Sequence, residues 1–112
     1  MVIEDRELLE EAADFLRALA HPVRLCIARG LWQSGGCNVA HMQQCLEAPQ
    51  STVSQHLSKL RQAGLIRGER SGLEVTYRLK DERVAQILRA LLRAEGKEGT
   101  SHGDEEAPAS CC

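Results

Sequence analysis

The five cysteines carry the most distinctive chemistry of this 112-residue chain: Cys26, Cys37, Cys45, Cys111 and Cys112. Thiolates bind soft, thiophilic ions such as arsenite and antimonite, and they also form disulfides and persulfides. The number of cysteines is odd, and residues 1–11 are acidic, with no apolar segment of the kind that directs secretion. We therefore expect a cytoplasmic protein whose thiols serve metal binding, redox chemistry or packing rather than a disulfide scaffold.

The positions of the cysteines predict different roles for them. Cys26 lies in an apolar stretch and is predicted to be buried. Cys37 is either a small loop residue or a reactive thiolate favoured by the dipole of the helix that follows it. Cys45 suits either packing or ligation, and a rise of ~1.5 Å per residue along a helix would separate its Cα from that of Cys37 by about 12 Å. The pair Cys111 and Cys112 suits a soft ion with Cys37 or Cys45 as the third sulfur; a redox pair and an incidental chain end are the alternatives.

Residues 49–60 have the composition of a helix that lies against DNA. Val53, Leu57 and Leu60 recur at helical spacing and predict an inward face. The opposite face has no acidic residue and consists of Gln50, Ser51, Thr52, Ser54, Gln55, Ser58 and Lys59. Glutamine can pair with adenine edges, and serine or threonine can bind phosphates or bases. His56 is either a further DNA contact or a packed, hydrogen-bonded residue, and an ordinary solvated face is the alternative for the whole segment.

The charge of the chain is unevenly distributed although its net value is −2. Residues 50–80 hold six basic and two acidic residues, whereas residues 1–20 hold two basic and six acidic ones. A local basic surface attracts a polyanion even when the whole protein is acidic. Arg67 and Arg70 are therefore candidate phosphate contacts, although a merely solvated charged surface would have the same composition.

The apolar periodicity predicts one mainly α (α+β) domain over residues 1–94. Helices are expected at residues 5–20, 22–34, 38–46, 50–63 and 81–94, and two strands at residues 65–70 and 73–79 flank the turn Ser71-Gly72. The third and fourth helices make a helix-turn-helix, and the basic hairpin makes the wing of a winged helix. Residues 95–112 have no apolar period and predict a flexible acidic tail. No apolar run approaches the ~20 residues of a membrane span, so no membrane partner is expected.

Three segments of the chain carry a resemblance to a known family. Residues 15–25 (FLRALAHPVRL), 49–60 (PQSTVSQHLSKL) and 63–66 (AGLI) resemble the ArsR/SmtB family of winged-helix repressors. The resemblance covers about residues 8–92. It implies a homodimer that represses an operon until a metal, metalloid or thiol signal relieves it. It also implies an interface between the first and last helices, with Leu8, Leu9, Leu88, Leu91 and Leu92 as its apolar residues.

The family's common metal motifs are incomplete in this sequence. Members often carry Cys-x-Cys near the third helix, where this chain has Cys37-Asn38-Val39; others use Asp and His on the last helix, where it has Asp81 but no His. We therefore predict a repressor of double-stranded operator DNA, without a required cofactor, that responds to As(III), Sb(III) or another thiophilic ion. Its candidate ligands are Cys37, Cys45, Cys111 and Cys112. A redox- or persulfide-responsive repressor and a ligand-independent regulator are the alternatives, and the absence of a catalytic motif argues against an enzyme.

Overall fold

Five helices and three strands build the part of the chain that the structure, a computed structural model, describes, residues 4–92. The elements in chain order are α1 (Arg6–Leu19), α2 (Pro22–Ser34), β1 (Cys37–Asn38), α3 (Val39–Leu46), α4 (Gln50–Gln62), β2 (Ile66–Ser71), β3 (Glu74–Leu79) and α5 (Glu82–Leu92). The predicted winged helix-turn-helix with five helices and a hairpin is thus confirmed. The predicted domain end at residue 94 and the tail at 95–112 lie outside the described residues. No helix of residues 4–92 is long and apolar enough to cross a membrane.

Side-chain caps fix where two of the helices begin. The Nδ1 atom of His21 accepts a hydrogen bond from the backbone N–H of Val23 at 3.0 Å, and Pro22 occupies the first helical position of α2. The Oδ1 atom of Asn38 accepts from the backbone N–H of His41 at 2.8 Å and caps α3. Both caps satisfy amides that have no partner within their helix, so the sequence defines these boundaries locally.

One apolar core connects all five helices to the base of the hairpin. Its largest fully buried side chains are Ile27, Leu31, Met42, Leu60, Leu65, Ile66, Leu88, Val53 and Val84. These residues occupy the inward positions of amphipathic helices, the last position before β2 (Leu65) and the first position of β2 (Ile66). Their burial fixes the orientation of α4 and therefore decides which of its residues face outward.

A tight connection joins α4 to the hairpin. Gly64 has φ +80°, its N–H donates to the carbonyl oxygen of Arg61 at 2.9 Å, and the N–H of Leu65 donates to that of Leu60 at 3.0 Å. These two bonds form a Schellman motif, which ends a helix with a left-handed residue. Leu60 and Leu65 are both buried in the core. The hairpin therefore leaves the end of α4 in one defined direction.

The sheet contains a short strand that the sequence analysis did not predict. Its three antiparallel strands have the order β1-β3-β2, with Cys37 opposite Tyr77 and Asn38 opposite Thr76. The Nη1 atom of Arg78 on β3 also donates to the carbonyl oxygen of Gly35 at 2.6 Å. The loop before α3 is thereby attached to the wing.

Candidate nucleic-acid interface and thiol site

The fourth helix has two chemically different faces. Val53, Leu57 and Leu60 are buried, so the remaining side chains of α4 face away from the core. Of the residues predicted to contact DNA, Gln50, Ser51, Ser54, Gln55 and Lys59 are exposed, and Thr52 is half-buried. The helix contains no acidic residue, and Lys59 and Arg61 occupy its last turn. This face offers hydrogen-bond donors and acceptors without a charge that repels phosphate.

The beginning of α4 adds backbone donors to the same face. Pro49 precedes the helix, and no side chain caps it. The carbonyl oxygen of Pro49 accepts from the N–H groups of Thr52 and Val53, both at 3.1 Å. The N–H groups of the first turn therefore lie at the positive end of the helix dipole, an environment that suits a DNA phosphate.

Some arginines of the hairpin form ion pairs, and one does not. Glu69 accepts from Arg67, with a nitrogen–oxygen distance of 2.9 Å, and from Nε of Arg78 at 2.8 Å. The hydrogen bonds from Arg78 and then Arg67 lower the pKa of the Glu69 carboxyl. Arg67, a predicted phosphate contact, is therefore already paired with a carboxylate of its own strand, although half of its side chain remains exposed. Arg70 is exposed and forms no ion pair within residues 4–92, so it is the cation of β2 that is available to a phosphate.

His56 faces the domain rather than the predicted DNA surface. Its ring is half-buried, with its centroid 4.5 Å from that of His21, and its Nδ1 lies 3.3 Å from Nη1 of Arg24. Arg24 in turn donates through Nε to the carbonyl oxygen of Ala18 at 2.6 Å. Burial, followed by the charges of His21 and Arg24, lowers the pKa of His56. These contacts match the packed interpretation of His56 rather than a DNA contact.

Cys37 lies where the wing meets the helix-turn-helix. It is buried, with 7% of its surface exposed, and it belongs to β1 while also directly preceding Asn38, the N-cap of α3. Its Sγ lies 3.5 Å from the carbonyl oxygen of Asn38, the residue that caps α3. The amide Nδ2 of Asn38 donates to Oε2 of Glu74 on the wing at 2.6 Å. Cys37 and its neighbour Asn38 are therefore bonded both to α3 and to β3.

The three cysteines within residues 4–92 differ in whether their sulfur is oxidised. Cys37 is disulfide-bonded, whereas Cys26 and Cys45 are free thiols and half-buried. Cys45 packs against the apolar core, which agrees with the packing interpretation of this residue. Residues 4–92 contain no group of three or more His, Cys, Asp or Glu side chains that could hold a metal ion. The other two candidate ligands, Cys111 and Cys112, lie outside the described residues.

The first and last helices expose an apolar surface. Leu8, Leu9, Leu16 and Leu91 are 51–62% exposed, although they lie on amphipathic helices. Leu16 was not among the predicted interface residues, and its place on this face follows from its distance of seven residues from Leu9. Leu92 is half-buried. Leu88 differs from the prediction because it is 0% exposed within a single chain, where it contributes to the core.

Comparison with known proteins places this architecture in a class and a family. A family profile described as "Helix-turn-helix domain" matches residues 19–69. The helix-turn-helix of α3 and α4, followed by the β2–β3 wing, defines a winged-helix protein. The transcriptional repressor SmtB of Mycobacterium tuberculosis is 49% identical over 83 residues, which are 74% of this chain and 61% of SmtB. The repressor PagR of Bacillus anthracis is 41% identical over 74% of this chain and 83% of its own length. The chain belongs to the ArsR/SmtB family of winged-helix transcriptional repressors.

Solved structures agree with this assignment. The crystal structure of PagR superposes with a TM-score of 0.71 at 39% identity, over 78% of this chain and 99% of that one. The homodimeric winged helix-turn-helix domain of Mb0332 from Mycobacterium bovis has a TM-score of 0.75 at 25% identity, over 94% of this chain and 96% of that one. SmtB and PagR are named as repressors and not as enzymes. This chain spans about 61% of the length of SmtB.

Proposed function

We propose that this protein is a homodimeric repressor that binds operator DNA through α4 and the wing and is released by a signal at its thiols. The exposed face of α4, which has no acidic residue, is the observation that carries the DNA-binding part, and the hairpin that follows it in the chain adds the exposed Arg70. Gln50, Ser51, Ser54 and Gln55 are the candidate base and phosphate contacts in the major groove. Thr52 and Lys59 contact the backbone, and Arg70 reaches the phosphates beside the wing.

The proposed dimer uses the exposed leucines of α1 and α5. Leu8, Leu9, Leu16 and Leu91 are too exposed to belong to the core of one chain, and a second copy would bury them. The half-buried Leu92 lies at the edge of this surface. Two copies related by a twofold axis would present two α4 helices to half-sites about one helical turn apart. The homodimeric state of the related Mb0332 domain supports this arrangement.

The proposed signal is a thiophilic metalloid such as arsenite, bound by Cys37 together with Cys111 and Cys112. In the reduced protein, in which a thiol reductant has opened the disulfide at Cys37, three thiols would replace the three hydroxyl groups of arsenous acid, forming three arsenic–sulfur bonds and releasing three waters. Such a soft ion suits sulfur ligands and needs no hard oxygen donors. Cys45 is a weaker candidate for the third sulfur, because it already packs against the core.

The position of Cys37 supports a route from such a signal to DNA. Its strand pairs with β3 of the wing, and its neighbour Asn38 caps α3 and holds Glu74. Ligation that pulls the buried sulfur outward would therefore disturb the orientation of α3 and of the wing together. The effector can reduce DNA affinity only as far as it prefers the disturbed state.

The disulfide at Cys37 favours a second candidate, a redox-responsive repressor. Two thiols would lose two protons and two electrons to a peroxide, which forms the sulfur–sulfur bond and yields two waters. Persulfide formation belongs to the same thiol chemistry. In this alternative, reduced protein represses and oxidised protein releases DNA, or the reverse, and no ion takes part.

Fluorescence anisotropy with the DNA upstream of the protein's own gene tests the proposal. Fully reduced protein should bind this duplex about 1,000-fold more tightly than random DNA, with an affinity that falls steeply as salt rises. Arsenite should release the wild type but not Cys37→Ser or Cys111→Ser. Cys26→Ser is the matched control, since Cys26 is a free, half-buried thiol of the same domain.

The outcomes distinguish the candidates from one another. Release by peroxide but not by arsenite would support the redox alternative. Binding that no thiol reagent or soft ion alters would leave a ligand-independent regulator. Binding to neither the upstream duplex nor any selected sequence would refute the repressor itself.

A further inference from the structure

One guanidinium joins the end of α1 to the fourth helix. Nε of Arg24 on α2 donates to the carbonyl oxygen of Ala18 at 2.6 Å, and its Nη1 lies 3.3 Å from Nδ1 of His56 on α4. Ala18 belongs to the last turn of α1, where its carbonyl would accept from the backbone N–H four residues later. That residue is Pro22, which has no N–H. Arg24 therefore replaces a missing backbone donor and reaches α4 with the same side chain.

The bond between Arg24 and His56 requires a neutral imidazole. Arginine has only donors, so Nδ1 of His56 is the acceptor and the ring proton is on Nε2. The neighbouring ring has the same requirement, because Nδ1 of His21 accepts from the N–H of Val23 at 3.0 Å. The centroids of the two rings are 4.5 Å apart. A proton that solvent delivers to either Nδ1 would turn an acceptor into a donor and break its hydrogen bond.

The groups that face His56 would not stabilise a positive charge on its ring. Burial, the largest cause, and then the charges of His21 and Arg24 lower the pKa of His56. Within residues 4–92, no carboxylate forms an ion pair with any of these three residues. All three side chains are half-buried, so solvent protons still reach them.

The other elements that pack against α4 supply no free carboxylate to this cluster of His21, Arg24 and His56. The ionisable residues of α3 are His41 and Cys45, and neither is acidic at neutral pH in the way that Asp and Glu are. Asp14 in the second half of α1 is bonded to an arginine of the same helix, and Glu69 of β2 is held by two arginines of the wing. A protonated His56 would therefore face Arg24 without a counter-charge.

Loss of the bond to Arg24 would leave α4 held by its apolar face. Val53, Leu57 and Leu60 would stay in the core, so the helix would remain folded while its orientation relative to α1 became less defined. That orientation matters because the two α4 helices of a dimer must fit half-sites at a fixed separation. Since α1 carries part of the proposed dimer surface, the bond ties α4 to the dimer axis.

We infer that the cluster of His21, Arg24 and His56 is a proton-sensitive positioning site, which holds α4 in its DNA-binding orientation until protonation of His56 breaks the bond to Arg24. The inference rests on the proposed binding of operator DNA by α4. The sign of the effect is informative, because an added positive charge ordinarily raises the affinity of a protein for any DNA. A fall in operator affinity on acidification is opposite to this electrostatic effect.

The experiment measures the anisotropy of a labelled operator duplex with the reduced, full-length protein at constant ionic strength. Operator affinity of the wild type should fall about tenfold between about pH 7.5 and about pH 5.5, whereas affinity for random DNA should not fall. The far-ultraviolet circular dichroism should stay that of the folded protein over this range.

Variants of the cluster separate a positioning role from a general loss of structure. Arg24→Ala and His56→Ala should each lower operator affinity about tenfold at about pH 7.5 and flatten the pH profile, and their losses should not add in the double variant. His56→Asn places an amide oxygen close to the position of Nδ1, accepts from Arg24 and does not titrate. It should therefore restore most of the affinity that His56→Ala loses, with a flat pH profile. His41→Asn, on a histidine outside the cluster, is the control and should keep the profile of the wild type.

Several results would overturn the inference. They are a flat pH profile of the wild type, a wild-type pH profile in His56→Asn, additive losses in the double variant, and an equal fall for operator and random DNA. Loss of the helical signal at acidic pH would attribute the release of DNA to unfolding and would also overturn it. Failure of the wild type to bind any duplex at about pH 7.5 would refute the proposed function as well, whereas tight binding with a flat profile refutes this inference alone.

Discussion

Asn38 provides the sharpest test of how α3 and the wing are connected. Its Oδ1 caps α3 by accepting from the N–H of His41 at 2.8 Å, and its Nδ2 donates to Glu74 at 2.6 Å. Replacing it with alanine removes both bonds. The lost cap should cost about 1 kcal/mol of the free energy of unfolding. The exposed bond to Glu74, which solvent screens, should add about 0.5 kcal/mol.

A serine at the same position separates these two contributions. Asn38→Ser keeps a hydroxyl that can cap α3 but cannot reach Glu74, so it should lose only about 0.5 kcal/mol. Glu74→Ala should lose a similar amount, and a double-mutant cycle between Asn38→Ser and Glu74→Ala should give a coupling of about 0.5 kcal/mol.

Urea unfolding followed by far-ultraviolet circular dichroism measures these differences. All variants are compared at one protein concentration under reducing conditions, because the stability of a dimer depends on concentration. The slope of unfolding free energy against urea should stay constant, which indicates an unchanged fold. A loss in Asn38→Ala below about 0.3 kcal/mol, or an equal loss in Asn38→Ser, would refute the reasoning.

Three further predictions follow from contacts described above. Gly64→Ala should cost about 1–2 kcal/mol of unfolding free energy while Gly64→Asn costs less, since φ is +80° but a Cβ meets no atom within 4 Å; equal losses in urea unfolding would contradict this. Glu69→Gln should free Arg67 while Arg78 keeps its bond to Gly35, raise DNA affinity severalfold and steepen its salt slope by about one unit per subunit; an unchanged slope would count against it. His56 has a lowered pKa, so the unfolded chain binds its proton first, and stability should fall as the pH drops below the ordinary value of 6.5. His56→Gln should flatten that part of the stability–pH curve, and an unaltered curve would exclude His56 as its source.

The sequence predicts the helices and the hairpin because their signals are local. Apolar residues at helical spacing identify α1 to α5, while Pro22, Asn38 and Gly64 mark three of their ends. Strand β1 has two residues and no periodicity of its own. It exists because β3 offers backbone partners to the segment that follows Gly36. No local pattern could have predicted it.

The sequence predicts those parts of the candidate site that depend on a single helix or strand. The exposed polar face of α4 follows from its own spacing. The positions of Leu88, Arg67 and His56 depend on neighbours from elsewhere in the fold. The last helix is apolar over more than one face, so its pattern could not separate Leu88, which fills the core, from Leu91, which is exposed. The partners Glu69 and His21 likewise become evident only when strands and helices are assembled.

The strand order β1-β3-β2 leaves β2 at the edge of the sheet, with backbone N–H and C=O groups that no other strand of residues 4–92 pairs with. Such an edge can recruit a strand from another molecule and begin aggregation, and charged side chains are a common protection against it. Arg67, Glu69 and Arg70 stand on this edge and are exposed. The charges that suit the wing to a polyanion therefore also keep one wing from pairing with the next. Variants that remove them should be checked for solubility before their DNA affinity is interpreted.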